Sequence, residues 1–166
     1  MIRLSMVFLA AAAALPSAKA PADEFRARRA ALRHSLDDGV LLIKGQPEEH
    51  DPIFRFAQEP NFYYLTGWIE PGAALLLTPS DEILFLPPHD QRAERYHGKR
   101  TAAQDPGVRA LTGFDKVLPL ARLESQLDAA LAEHSRIYAP WTATYAGELR
   151  ARYPFRDLAD AAPLIT

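Results

Sequence analysis

The sequence predicts an α/β fold, a single domain in which one mixed β-sheet is flanked by helices on both faces. Three observations carry this reading. Short, wholly apolar runs such as Val40–Ile43 and Ala73–Leu77 have the character of buried strands. They alternate with helical patterns, the clearest being Leu120, Leu123, Leu127 and Leu131 on one face of a segment ending at His134. The chain has 166 residues, enough for one core and too few for two ordinary domains.

Residues 1–20 read as a secretory signal peptide. Arg3 supplies the positive start, Met6 to Leu15 the apolar stretch, and Ala18-Lys19-Ala20 the small-x-small cleavage pattern. Pro21 disfavours cutting after Ala20, so Ala22 is a second cleavage candidate and an uncleaved anchor a third outcome. The stretch falls short of the roughly 20 residues a membrane-crossing helix needs. A periplasmic or secreted protein with no membrane span after cleavage is therefore expected, its domain running over 21–166.

Asp23 to Leu36 reads as a helix, with Asp23 as cap, Phe25, Leu32 and Leu36 as its apolar stripe, and several Arg on the other face. Asp37-Asp38-Gly39 ends it before the strand Val40–Ile43. Gly45 to Pro52 is a polar loop. Aromatic enrichment predicts strands over Ile53–Ala57 and Phe62–Thr66, with Glu59-Pro60-Asn61 as the turn between them. Ala73–Thr78 and Glu82–Leu86 form the best hairpin, closed by Pro79-Ser80-Asp81. Brief helices follow over Asp90–Tyr96 and Asp105–Leu111, then a strand at Val117-Leu118 and the long helix Leu120–His134. Arg136–Ala139 is a last strand and Ala143–Tyr153 a last helix.

Composition excludes several functions. The formal charge of −2 implies no basic face for nucleic acid. The absence of cysteine removes disulfides, thiolate metal ligands and a thiol nucleophile, so an exported fold must rest on its core. The five histidines (His34, His50, His89, His97 and His134) form no HExxH and no i, i+4 pair, so no metal site is predicted within the chain. GxSxG, GxGxxG and a phosphate loop are also missing. Asp37-Asp38 and Glu48-Glu49 sit in loops, as a helix stop and a solvated face. No self-sufficient active site is legible.

The densest segment is Phe54 to Gly72, which holds six aromatics and the chain's sole Asn. Arg55 lies between Phe54 and Phe56 and on a strand would face away from both, onto a polar face or toward Asp51 or Glu70. Gln58, Asn61 and Thr66 suit the satisfaction of backbone groups around tight turns. Pro71-Gly72 suits a type II turn. Tyr63, Tyr64 and Trp68 would alternate in direction, some entering the core and others reaching an interface or pocket rim.

The order Asp51-x-x-Phe54-Arg55-Phe56-x-Gln58-x-x-Asn61-Phe62-Tyr63-Tyr64-Leu65-Thr66-Gly67-x-x-Glu70-Pro71-Gly72-Ala73 resembles the signature of the N-terminal domain of Xaa-Pro aminopeptidases, or aminopeptidase P. The resemblance continues through Ile83-Leu84-Phe85-Leu86-Pro87, Asp90, Glu94, Gly98-x-Arg100 and Gly113-Phe114-Asp115. One departure is local: Ala57 intervenes where the family has Arg directly before Gln, which implies an inserted residue or a bulge beside Arg55.

The resemblance implies a creatinase-like N-terminal fold followed by a larger catalytic domain. That second domain would bind two manganese ions and activate a water against the bond before proline. The N-terminal domain would contribute subunit contacts and part of the wall of a substrate site, with Tyr63, Tyr64, Trp68 and Arg55 as the wall or interface residues. Its partners would be its own catalytic domain, a neighbouring subunit and, indirectly, proline-containing peptides. This chain carries none of the catalytic domain, which makes a non-catalytic portion of such an enzyme the expectation. The alternative is a standalone peptide- or protein-binding module that kept the fold and lost catalysis.

Overall fold

A computed structural model of the protein describes residues 22–48 and 56–161. Helix α1 (Ala22–Ser35) turns Phe25, Arg29 and Leu32 inward. Asp23 lies inside its first turn beside Glu24, where acidic side chains complement the helix dipole, and so is not its cap. Strand β1 (Gly39–Lys44) follows, then helix α2 (Pro60–Thr66) and the hairpin of β2 (Ala74–Leu77) and β3 (Glu82–Leu86). The hairpin turn is closed by Thr78, whose backbone N–H donates to Asp81 O and whose hydroxyl accepts from Asp81 N, both at 2.9 Å.

Helices α3 (Gln91–His97) and α4 (Val108–Thr112) precede β4 (Lys116–Pro119). The expected helix from Leu120 opens with a single 3-10 turn, Leu120–Arg122, before α5 (Leu123–Glu133). Strand β5 (Arg136–Ala139), α6 (Ala146–Arg152), β6 (Phe155–Asp157) and α7 (Leu158–Ala161) complete the order.

The six strands form one mixed sheet in the order β4-β3-β2-β1-β5-β6. Only β2 runs against the others, pairing antiparallel with β1 on one side and β3 on the other. The remaining pairs are parallel, so those strands all end at the same rim of the sheet. Ligand sites in open α/β sheets gather at that rim.

Side chains alternate across the central strands. Leu41, Ile43, Leu75, Leu77, Leu84 and Leu86 pack under α1, α2, α4 and α7. Val40, Leu42, Ala74, Leu76, Ile83 and Phe85 pack against α5 and α6. Both faces are dry, and this is why the strands read as unbroken apolar runs. The predicted class, a mixed sheet with helices on both faces, is the observed one.

Candidate functional site

The segment expected to pair as aromatic strands is instead helical at Pro60–Thr66. The supposed turn Glu59-Pro60-Asn61 is the helix start. The Glu59 side chain accepts from Phe62 N, and Pro60 sits at the first turn, where its missing N–H costs nothing. Phe62, Leu65 and Thr66 are buried, the i, i+3, i+4 spacing of one helical face.

Gly67 ends α2 in the left-handed region at φ 63°, and its N–H donates to Tyr63 O at 2.7 Å. A Cβ at this position would lie 2.4 Å from Cε2 of Phe25, so α1 and α2 approach each other through the glycine. Aromatic enrichment outweighed these capping signals in the strand reading. Of the other expected strand, Phe56 and Ala57 have no strand pairing, while its remaining residues, and Arg55 with them, lie outside the described residues.

The three candidate rings separate. Tyr63 and Tyr64 are each 39% exposed on the outer face of α2. The Tyr63 ring meets Phe25 edge-on at 6.3 Å, and the Arg28 guanidinium lies 4.3 Å from the Tyr64 ring centre while donating to Tyr64 O at 3.0 Å. Both rings are therefore held in place from below. Trp68 is a core residue, 7% exposed within the cluster beneath α1 and α2. Its indole Nε1 is buried without a hydrogen-bond partner among the described residues. The strand-like alternation expected of the three is corrected: adjacent helix positions place both tyrosines outside, and the chain turns inward only after Gly67.

The polar residues of the segment hold its frame together. The Gln58 side-chain oxygen accepts from Gln46 N at 2.7 Å and Glu59 N at 2.9 Å, while its Nε2 donates to Glu70 O at 3.0 Å. One amide thus joins the exit of β1, the start of α2 and the approach to β2. Asn61 donates to the Glu59 carboxylate, and the Thr66 hydroxyl donates to Phe62 O and accepts from Trp68 N. Gly72 has φ 76°, as a Pro-Gly turn requires.

Glu70 has a partner that local reading does not supply. Its two carboxylate oxygens accept from the Thr101 backbone N–H at 2.9 Å and the Thr101 hydroxyl at 3.0 Å. Beside them Arg100 pairs with Glu48 at 2.5 Å. These residues, with Pro71, Pro87, Asp90 and Ala93, line a cavity of about 330 Å³ at the rim where the parallel strands end. Sequence reasoning missed it because Glu48, Glu70 and Arg100 meet only across the fold.

Two titratable groups stand out at the same rim. His89 bridges Glu94 (Nδ1 to Oε1, 2.6 Å) and Asp105 (Nε2 to Oδ1, 2.8 Å). The Asp105 and then the Glu94 hydrogen bond raise the imidazole above the ordinary histidine value. Glu94 is lowered chiefly by His89, and Asp105 chiefly by the Ala102 backbone N–H and then by His89. Tyr145, just before α6, accepts from Lys44 N at 3.0 Å, and burial pushes its phenol up to about 12. Among the described residues no group of three or more His, Asp or Glu is arranged to hold a metal ion.

The profile of the family described as "Aminopeptidase P, N-terminal domain" matches residues 25–138. Xaa-Pro aminopeptidase 3 of Mus musculus is 30% identical over 131 residues, covering 72% of this chain and 26% of that protein. Xaa-Pro aminopeptidase of Haemophilus influenzae is 35% identical over 95 residues, covering 52% of this chain and 22% of the relative. Among solved structures, E. coli aminopeptidase P in its low pH form superposes with a TM-score of 0.68 at 25% identity, over 81% of this chain and 32% of that one. The chain thus spans between a fifth and a third of the length of the relatives it matches. With the mixed sheet, the capped aromatic helix and the rim in place, the profile match settles the family: the chain belongs to the aminopeptidase P N-terminal domains.

Proposed function

We propose that this domain is the non-catalytic N-terminal part of an exported Xaa-Pro aminopeptidase, an enzyme that releases the N-terminal residue preceding proline. The observation that carries the reading is the pair of half-exposed rings, Tyr63 and Tyr64, set side by side on a capped helix and fixed from below by Phe25 and Arg28. Pre-positioned aromatic rings suit the wall of a peptide site, because they present apolar area at little cost in side-chain entropy. Trp68 supports that wall from inside the core, and Arg55 is assigned to the same wall or interface set.

Catalysis in this reading belongs to a following domain with two manganese ions that activate the attacking water. This domain adds the wall and subunit contacts, in its own or a neighbouring subunit. Proline-containing peptides are its indirect partners, in keeping with the E. coli aminopeptidase P solved with the inhibitor Pro-Leu. The leader at residues 1–20 supports a periplasmic or secreted location.

The test compares this chain alone with a full-length enzyme carrying it, both supplied with Mn2+ and an Xaa-Pro peptide. Hydrolysis is expected only from the full-length protein. In that protein Tyr63→Ala with Tyr64→Ala lowers kcat/KM while manganese content stays constant. Unchanged kinetics in the double variant, or hydrolysis by the chain alone, overturns the assignment. Saturable peptide binding by the chain alone, with no catalytic domain encoded after it, establishes the standalone module instead.

A further inference from the structure

Helix α3 has no buried residue, so the core does not hold it in place. Its attachments are polar. Asp90 caps its first turn through Arg92 N and Ala93 N, at 2.8 and 3.2 Å. At its far end His97 lies 3.4 Å from Glu48, and Glu94 accepts a 3.4 Å hydrogen bond from Arg100 N. The shortest tie is His89, whose two ring nitrogens reach Glu94 on the helix and Asp105 on the turn after it. Asp105 is itself anchored by Ala102 N at 3.0 Å, and Ala102 is fully buried. The tightest route from α3 to the body of the domain, with contacts of 2.6 and 2.8 Å, therefore passes through the His89 imidazole.

A neutral imidazole carries a single N–H and could donate to only one of these carboxylates. Its other nitrogen would then face a carboxylate oxygen with lone pair against lone pair. With both carboxylates ionised, contacts of 2.6 and 2.8 Å on the two sides suit the doubly protonated imidazolium. The charged groups around it are Glu94 on α3, Asp105 on the following turn, and Lys99 between them, which acts on both carboxylates; at the other end of α3, Glu48 pairs with Arg100 and His97.

We propose that His89 is a pH-dependent clasp that holds α3, and with it the Asp90–Ala93 wall of the rim cavity, against the domain while the imidazole is charged. Loss of one proton removes one of the two hydrogen bonds and loosens α3, with the 76% exposed Tyr96 on it, leaving the longer His97–Glu48 and Arg100–Glu94 contacts. The sign follows from the shifts. The raised histidine contributes while protonated, and this is lost as pH rises through its folded value. The lowered carboxylates contribute while ionised, and this is lost as pH falls through theirs. The clasp is closed in the window between.

The experiment follows the His89 ring nitrogens and the backbone amide exchange of α3 by NMR on the 166-residue chain, from about pH 6 to about pH 9, with exchange corrected for its intrinsic pH dependence. Both nitrogens are expected protonated at the acid end, with a midpoint above that of ordinary histidine. Protection of α3 falls at that same midpoint, while the amides of β1 and β2 stay unchanged. His89→Arg, which keeps a fixed charge between the carboxylates, holds α3 protected across the range, and His89→Gln leaves it weakly protected throughout. A midpoint at or below the ordinary value, α3 protection that is flat through the His89 transition, or a wild-type pH response in His89→Arg overturns the proposal.

Discussion

Arg29 and Glu82 meet through two parallel hydrogen bonds, Nε to Oε2 and Nη2 to Oε1, each 3.0 Å long. The Arg29 side chain is 1% exposed and that of Glu82 12%. The remaining guanidinium nitrogen donates to Leu65 O at 3.0 Å, and the group lies 3.8 Å from the Phe114 ring centre. A single arginine thereby ties α1 to β3, to α2 and to the loop before β4. The helix supporting Tyr63 and Tyr64 is positioned through this buried pair.

Glu82→Ala should therefore cost about 3 kcal/mol of stability, because it leaves a buried guanidinium without its counter-charge. The double variant Arg29→Met with Glu82→Leu should lose less than Glu82→Ala alone, since neither partner is then stranded. Urea denaturation of the three proteins checks both statements. A Glu82→Ala midpoint equal to wild type would mean that the pair contributes nothing.

Neighbouring aromatic residues of α2 should respond very differently to truncation. Phe62 is fully buried, and Phe62→Ala should cost about 4 kcal/mol. Tyr63→Ala and Tyr64→Ala remove half-exposed rings and should each cost about 1 kcal/mol or less. Thermal or urea unfolding ranks the three. Losses at the tyrosines as large as at Phe62 would assign these rings to the core rather than to a wall.

Tyr145 offers a prediction at alkaline pH. Its phenol is raised from 10.0 to about 12 by burial, so between those values the native state keeps a proton that the unfolded state has released. Stability should decline with rising pH across that window. Tyr145→Phe should remove this part of the slope and, at neutral pH, cost about 1 kcal/mol for the hydrogen bond lost to Lys44 N. Ultraviolet titration of the phenolate in wild type and variant measures the first effect, and urea unfolding the second. A Tyr145 that ionises at the ordinary phenol value would contradict the burial argument.

The elements legible in advance were those whose signal is local and repeated. Val40–Ile43, the Ala73–Leu86 hairpin and the leucine spacing over 120–134 each carry enough residues to show a period or a dry run, and each is present, the last as a 3-10 turn at Leu120–Arg122 followed by α5. The strand β6 is three residues long, too short to show any period, and was missed. At α2 two local signals competed. Aromatic side chains favour strands on average, yet Pro at the helix start, a Glu cap and a left-handed Gly at the end decide for a helix once Phe62 and Leu65 are buried together.

The sequence by itself determined the fold class, the family signature and the segment that carries the aromatic residues, because these reside in composition, order and short-range spacing. Tertiary structure decided which rings are exposed and which are core, placing Tyr63 and Tyr64 outside and Trp68 inside. It alone joined Glu70 to Thr101, Arg29 to Glu82 and His89 to Asp105. The physical reason is that an ion pair or a cavity is a property of distance in space, and residues 16, 31 or 53 positions apart reveal none of it until the sheet has brought their loops to one rim or their strands under one helix.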